Sequence, residues 1–251
     1  PLVRPKHVQR IFDVFRGTGV PIHLLTNGTL LTRDRLKWLK QNNVVTLQVS
    51  LDGGDPSIHD AQRGMKGAWG KAMTALSRSH EYGFYTIVST TITQQNASSI
   101  PDLIDYCYMA GADRMNIGDL ITWGRAEEWM KEGACTNEQY DEIARAVLEK
   151  RKRFGQNMRI ELATNMLFFI CKIRICGQQN ILIRGNGDVI PHCTISGMLV
   201  GNIHEQSLRE IWDGPLSHVA DDPRLLEIIH QHEFIKTEGM SQLRCMKRLN
   251  S

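Results

Sequence analysis

Four stretches of small polar residues stand out because each follows an apolar, β-branched run. They are Thr26-Asn27-Gly28-Thr29, Ser50-Leu51-Asp52-Gly53-Gly54, Thr90 to Gln95, and Asn116 to Asp119. Their Ser, Thr and Asn side chains offer neutral hydrogen bonds, and Asp52 adds a carboxylate able to accept from hydroxyls. Such a set suits a ligand with a ribose and an α-amino acid head. The same strings also form ordinary tight turns, since Asn-Gly and Asp-Gly favour them, and the residues alone leave both readings open.

The six cysteines are Cys107, Cys135, Cys171, Cys176, Cys193 and Cys245, and no set of three is spaced as a cluster-binding loop. With no secretion signal in view, reduced thiols or metal ligands are expected rather than a disulfide framework, in a cytoplasmic protein. Cys107 shares a helix face with Leu103 and Ile104 and reads as core. His230 and His232 lack a third ligand nearby, which argues against zinc. The absence of a GxSxG elbow leaves a hydrolase triad without support.

The elements that must position these residues follow from periodicity. Val8, Ile11, Phe12 and Phe15 recur at helical spacing before the strand Ile22 to Leu25. Thr32 is the expected N-cap of a helix through Lys40, followed by a strand from Val44 to Leu51. A third unit runs over Trp69 to Tyr82 and then Tyr85 to Thr93. A fourth places Ile100, Leu103, Ile104, Cys107 and Tyr108 on one face ahead of Arg114 to Ile117.

A long helix from Thr136 to Phe154, with Tyr140, Ile143, Ala144, Val147 and Leu148 inward, precedes a strand at Arg159 to Leu162. Helix and strand in repeated alternation imply a parallel sheet, with ligands at the strands' carboxyl ends. Beyond residue 170 the pattern shortens to extended pieces around the hairpin turn Gly185-Asn186-Gly187, marking a second, small domain. The expected domains are 1–165 and 170–251.

The 251 residues are 41% hydrophobic and carry a formal charge of only +3, so neither nucleic acid nor a membrane is an expected partner. No run approaches the ~20 apolar residues of a membrane span.

Three linked motifs then become informative together: Leu25-Thr26-Asn27-Gly28-Thr29, Val49-Ser50-Leu51-Asp52-Gly53, and His59-Asp60 with Arg63-Gly64. Their order and separation resemble the core of radical S-adenosylmethionine (SAM) enzymes of the peptide-maturase and sulfatase-maturase type, read there as TNGT, SLDG and HDxxRG. The opening Pro1 to Pro5 resembles the continuation of that family's GGEP segment. The resemblance therefore implies an α/β fold, a partial (β/α)6 TIM-like barrel whose first strands and CxxxCxxC cluster loop precede Pro1, and a chain inactive by itself.

It also implies a cofactor set: SAM held by Thr26, Asn27, Ser50, Asp52, Arg63 and Asn116, with Ser50 and Asp52 addressing the ribose or methionyl part and Arg63 the carboxylate. No residue is assigned as catalytic. The second domain resembles the SPASM or twitch extension through Cys176, Gly187 to Cys193, Gly201-Asn202-Ile203 and Ser207 to Trp212, with His192 standing where that family has Cys. By resemblance Cys176, Cys193 and Cys245 are metal ligands for an auxiliary [4Fe-4S] cluster. A peptide is the implied substrate, a small-molecule precursor the next, and a flavodoxin or ferredoxin the electron donor. The competing reading is a binding module without radical chemistry. An eight-stranded barrel hydrolase asks for more strands than are visible.

Overall fold

The computed structural model describes residues 1–120, 133–163, 180–192, 195 and 197–225. The chain divides into two compact units, Pro1–Ala163 and Thr164–Ser251.

The first unit alternates helix and strand as α1 (Pro5–Phe15), β1 (Ile22–Thr26), α2 (Arg33–Gln41), β2 (Val44–Ser50), α3 (Pro56–Arg63), α4 (Ala68–Glu81), β3 (Tyr85–Ile92), α5 (Ile100–Met109), β4 (Arg114–Asp119), α6 (Asn137–Phe154) and β5 (Arg159–Ala163). The five strands form one sheet in sequential order, every pairing parallel. This is the expected α/β, partial-barrel architecture, since each helix returns the chain to start the next parallel strand.

Local chemistry sets the boundaries. Thr32 Oγ1 accepts from Arg35 N–H at 3.3 Å and starts α2. Thr136 and Gln139 form a reciprocal capping box that starts α6, satisfying two backbone donors that the first turn would otherwise leave unpaired.

Two apolar clusters cement the sheet to its helices, and both draw their strand residues from one face. Leu24, Val44 and Leu47 pack with Val8, Phe12, Leu36 and Leu39. Val49, Val88, Met115, Ile117 and Ile160 pack with Leu76, Leu103, Ile104 and Val147. Each fully buried aliphatic side chain here contributes roughly 2 kcal/mol. Cys107 is fully buried in the second cluster, as its helix face predicts, and burial pushes its thiol pKa far up.

Some positions depart from the periodicity. Ile11 and Phe15 are exposed, and Phe15 lines a cleft of about 320 Å³ with Arg16, Gly19 and Asn43. Leu148 is 56% exposed because it lies about 140° around α6 from Ile143, away from the stripe that Ile143 and Val147 share.

In the second unit the strands Leu182–Ile183 (β6), Asp188–Ile190 (β7) and Gly201–Asn202 (β8) form an antiparallel sheet. The predicted hairpin closes through Gly187, whose φ of +88° is the left-handed conformation that favours glycine. Ser207 and Glu210 then cap a short helix (Leu208–Ile211, α7).

Candidate cofactor-binding site

The sheet's other face contributes nothing to either apolar cluster. Its side chains are those that alternate with the core residues, because neighbouring strand residues point to opposite faces. The register aligns Ser50 with Ser89, Ser89 with Asn116, and Asn116 with Glu161, a polar row across four strands that starts at the carboxyl end of β2 and runs through the middle of β3, β4 and β5. Asn27 follows β1 by one residue and continues the same alternation. Of the six expected cofactor residues, Asn27, Ser50 and Asn116 thus share this inner face.

Thr26 does not. It is 7% exposed on the core side, and its Oγ1 accepts from Gly28 N–H at 3.1 Å. Its part is to shape the turn. Asn27 completes that turn, its Oδ1 accepting from the backbone N–H and the hydroxyl of Thr29. Gly28 has φ +78°, and an added Cβ would lie 3.0 Å from the Ala72 Cα of α4. The TNGT string is therefore a turn wedged against a helix, with Asn27 exposed at its tip.

Asp52 is 1% exposed, and its surroundings are fully built. Thr91 N–H donates to Oδ1 at 3.2 Å, and Arg63 Nη2 lies 2.5 Å from Oδ2 in an ion pair without hydrogen-bond alignment. The Asp52 N–H donates to His59 Nδ1 at 3.0 Å, and Asn96 Nδ2 donates to the Asp52 carbonyl at 2.6 Å. The carboxylate expected to meet a ribose is enclosed by protein, and its visible task is to hold Arg63, whose side chain is 35% exposed.

The HDxxRG string, which the periodicity assigns to no helix or strand, is helix α3. Asp55 caps its start through Ser57 N–H, Pro56 occupies the first turn, and Gly64 at φ +62° ends it. His59 and Arg63 are one helical turn apart, and both address Asp52. Asp60 turns the other way and accepts from Gly67 N–H and Trp69 N–H at the start of α4. Burial holds the His59 imidazole below its ordinary value despite the nearby Asp52 charge, so the ring is a neutral acceptor. Gly53 and Gly54 are more than turn formers: Trp69 Nε1 donates to the Gly53 carbonyl, and a Cβ at Gly54 would lie 2.6 Å from the Ser99 carbonyl oxygen.

The sequence reading missed Arg114 and Glu161. Arg114 Nε donates to Asn116 Oδ1 at 2.7 Å, and its Nη2 reaches Glu161 Oε2. Arg159 Nη2 lies 2.6 Å from Glu161 Oε1. The available signal was the period-two alternation itself, Arg-Met-Asn-Ile over 114–117 and Arg-Ile-Glu-Leu over 159–162, which sets polar residues on the face opposite the core.

The three expected metal ligands, Cys176, Cys193 and Cys245, lie outside the described residues. Among the described residues no group of three or more His, Cys, Asp or Glu side chains is placed to hold a metal. No described helix is long and apolar enough to cross a membrane.

Residues 1–107 match the Radical SAM superfamily, and residues 171–247 match SPASM, an iron-sulfur cluster-binding domain. The chain thus carries, in order, a segment matching the radical SAM superfamily and a segment matching the SPASM domain. It is similar to an AdoMet-dependent heme synthase of Methanosarcina barkeri, 28% identical over 85% of this chain and 66% of the relative. It is also similar to the sporulation killing factor maturation protein SkfB of Bacillus subtilis, 28% identical over 76% of this chain and 46% of that protein. Among solved structures, Streptococcus suis SuiB superimposes with a TM-score of 0.65 at 16% identity, covering 86% of this chain and 54% of SuiB. The chain spans 46% to 66% of the length of the two curated relatives. The family's cofactors are SAM and iron-sulfur clusters, and the hydroxyl and amide row on the inner face fits the polar parts of SAM.

Proposed function

We propose that this protein takes part in radical SAM chemistry, with SAM bound on the inner face of the sheet, from the carboxyl ends of β1 and β2 along the polar row to β4. The observation that carries this reading is the aligned row of Ser50, Ser89 and Asn116 on a face that neither apolar cluster uses, within the unit that matches the superfamily. In this reading Ser50 and Asn116 hydrogen-bond the nucleoside or methionyl part, and Asn27 borders the same site. Arg63 meets the SAM carboxylate, and Asp52 acts through Arg63 by fixing its guanidinium. Thr26 holds the turn that presents Asn27.

SAM and a reduced cluster, when bound, supply a 5'-deoxyadenosyl radical that takes a hydrogen atom from a substrate. The chain's own contribution is binding, orientation and exclusion of water. A [4Fe-4S] cluster in the second unit, held by Cys176, Cys193 and Cys245, belongs to the same proposal, as does electron delivery by a flavodoxin or ferredoxin. A peptide substrate is favoured by similarity to SkfB, named as a maturation protein, and to SuiB, whose structure is known with the precursor peptide SuiA.

Calorimetric titration of SAM into the anaerobically reconstituted protein tests the proposal. Ser50→Ala and Asn116→Ala are each expected to weaken binding up to about tenfold, the worth of one hydrogen bond. Failure of the wild-type protein to bind, or unchanged affinity in both variants, would remove the basis for this site.

A further inference from the structure

The inner face carries more positive than negative charge among its described side chains. Arg114 and Arg159 share the single carboxylate of Glu161. The Arg114 side chain runs along β4 toward its carboxyl end, since Nε reaches Asn116 two residues on, and its guanidinium lies in the row that Ser89, Asn116 and Glu161 define. The side chains of Arg114 and Glu161 are 31% and 27% exposed, open enough to meet a ligand. Arg114 Nη1 makes no hydrogen bond with the described residues. The imidazole of His23, on β1, is held below its ordinary value by partial burial and by the Arg114 charge, which fits a locally positive face.

We propose that Arg114 is a specificity residue that recognises a carboxylate of the substrate, with Glu161 and Asn116 setting the plane of its guanidinium. A guanidinium held at two of its nitrogens and open at the third presents a planar, charged donor, the geometry that carboxylates select. Glu161 is both positioner and competitor: it orients Arg114 and lowers its net pull on an incoming acid. The inference rests on the inner face being the ligand-binding side, as proposed above.

The probes are acetyl-glutamate amide, acetyl-glutamine amide and glutarate, titrated separately into the reconstituted protein with SAM binding measured in parallel. The acidic amide is expected to bind at least tenfold more tightly than the neutral one. Arg114→Gln should erase that preference, and Glu161→Gln should strengthen it; SAM affinity should be unchanged in Glu161→Gln, whereas Arg114→Gln also releases the Asn116 side chain. A merely structural ion pair would lower the melting temperature in both variants and shift neither preference. Glutarate binding as well as the acidic amide assigns the site to a free small acid, and a clear preference for the amide assigns it to a peptide side chain.

Equal affinity for the two amides, or an unaltered preference in Arg114→Gln with an intact circular dichroism spectrum, overturns the proposal. If SAM fails to bind while the acid preference and its dependence on Arg114 persist, the cofactor reading fails and this inference stands.

Discussion

The carboxylate of Asp52, 1% exposed at the end of β2, lies 2.5 Å from the guanidinium of Arg63, one helix further along the chain. This contact ties SLDG to HDxxRG and makes the two motifs one structural unit. Removing Asp52 leaves Arg63 without its partner, and removing Arg63 leaves a charge enclosed by protein.

The second loss is the costlier for folding, because Asp52 is the more deeply buried. Arg63→Met is expected to destabilise the protein by about 3 kcal/mol, the low end for breaking a buried pair since Arg63 itself reaches solvent. Asp52→Asn keeps an acceptor for Thr91 N–H and should destabilise less, yet weaken SAM binding by freeing Arg63. Urea unfolding and SAM titration on the same variants separate the two effects.

Acid sensitivity should originate in part at His59. Its folded-state pKa lies below the ordinary 6.5, chiefly through burial, so the unfolded chain takes up the proton more readily. Stability is therefore full above about pH 6.5 and is lost as pH falls through the folded-state value. His59→Asn keeps an acceptor for the Asp52 N–H without titrating. The expected outcome is a flatter dependence of the melting temperature between about pH 7 and about pH 5, the remainder coming from His23, which is depressed in the same direction.

Close approach makes Gly54 indispensable. A Cβ there would meet the Ser99 carbonyl at 2.6 Å and the Leu103 nitrogen at 2.7 Å, both backbone atoms that cannot rotate away. Gly54→Ala should cost about 3 kcal/mol as α5 is pushed from the loop. Gly70→Ala, with nothing within 4 Å of the added methyl, serves as the control and should be neutral or slightly stabilising on its helix. Thermal unfolding of the pair reads the difference.

Much of this was legible from the residues. Period 3.6 against period 2 located the strands of the first unit and its helices other than 56–63, Thr32 marked a cap, and Gly185-Asn186-Gly187 marked the hairpin turn of the second unit. What escaped depended on contacts distant in sequence. Asp52 reads as a surface acceptor until Arg63, Thr91, Asn96 and His59 are seen around it. The segment 56–63 carries few apolar residues, and His59 is its only buried position, so the pattern lacked the stripe by which a helix is recognised. Arg114 and Glu161 stand 47 residues apart, and only the β4–β5 register brings them together.

The central claim is that this chain is built for iron-sulfur and SAM chemistry, and bound iron tests it most directly. After anaerobic reconstitution with iron and sulfide, quantitation should give about four irons per chain, lost in Cys176→Ala and in Cys193→Ala. Absence of iron from the wild-type protein, or full retention in both variants, would contradict the account.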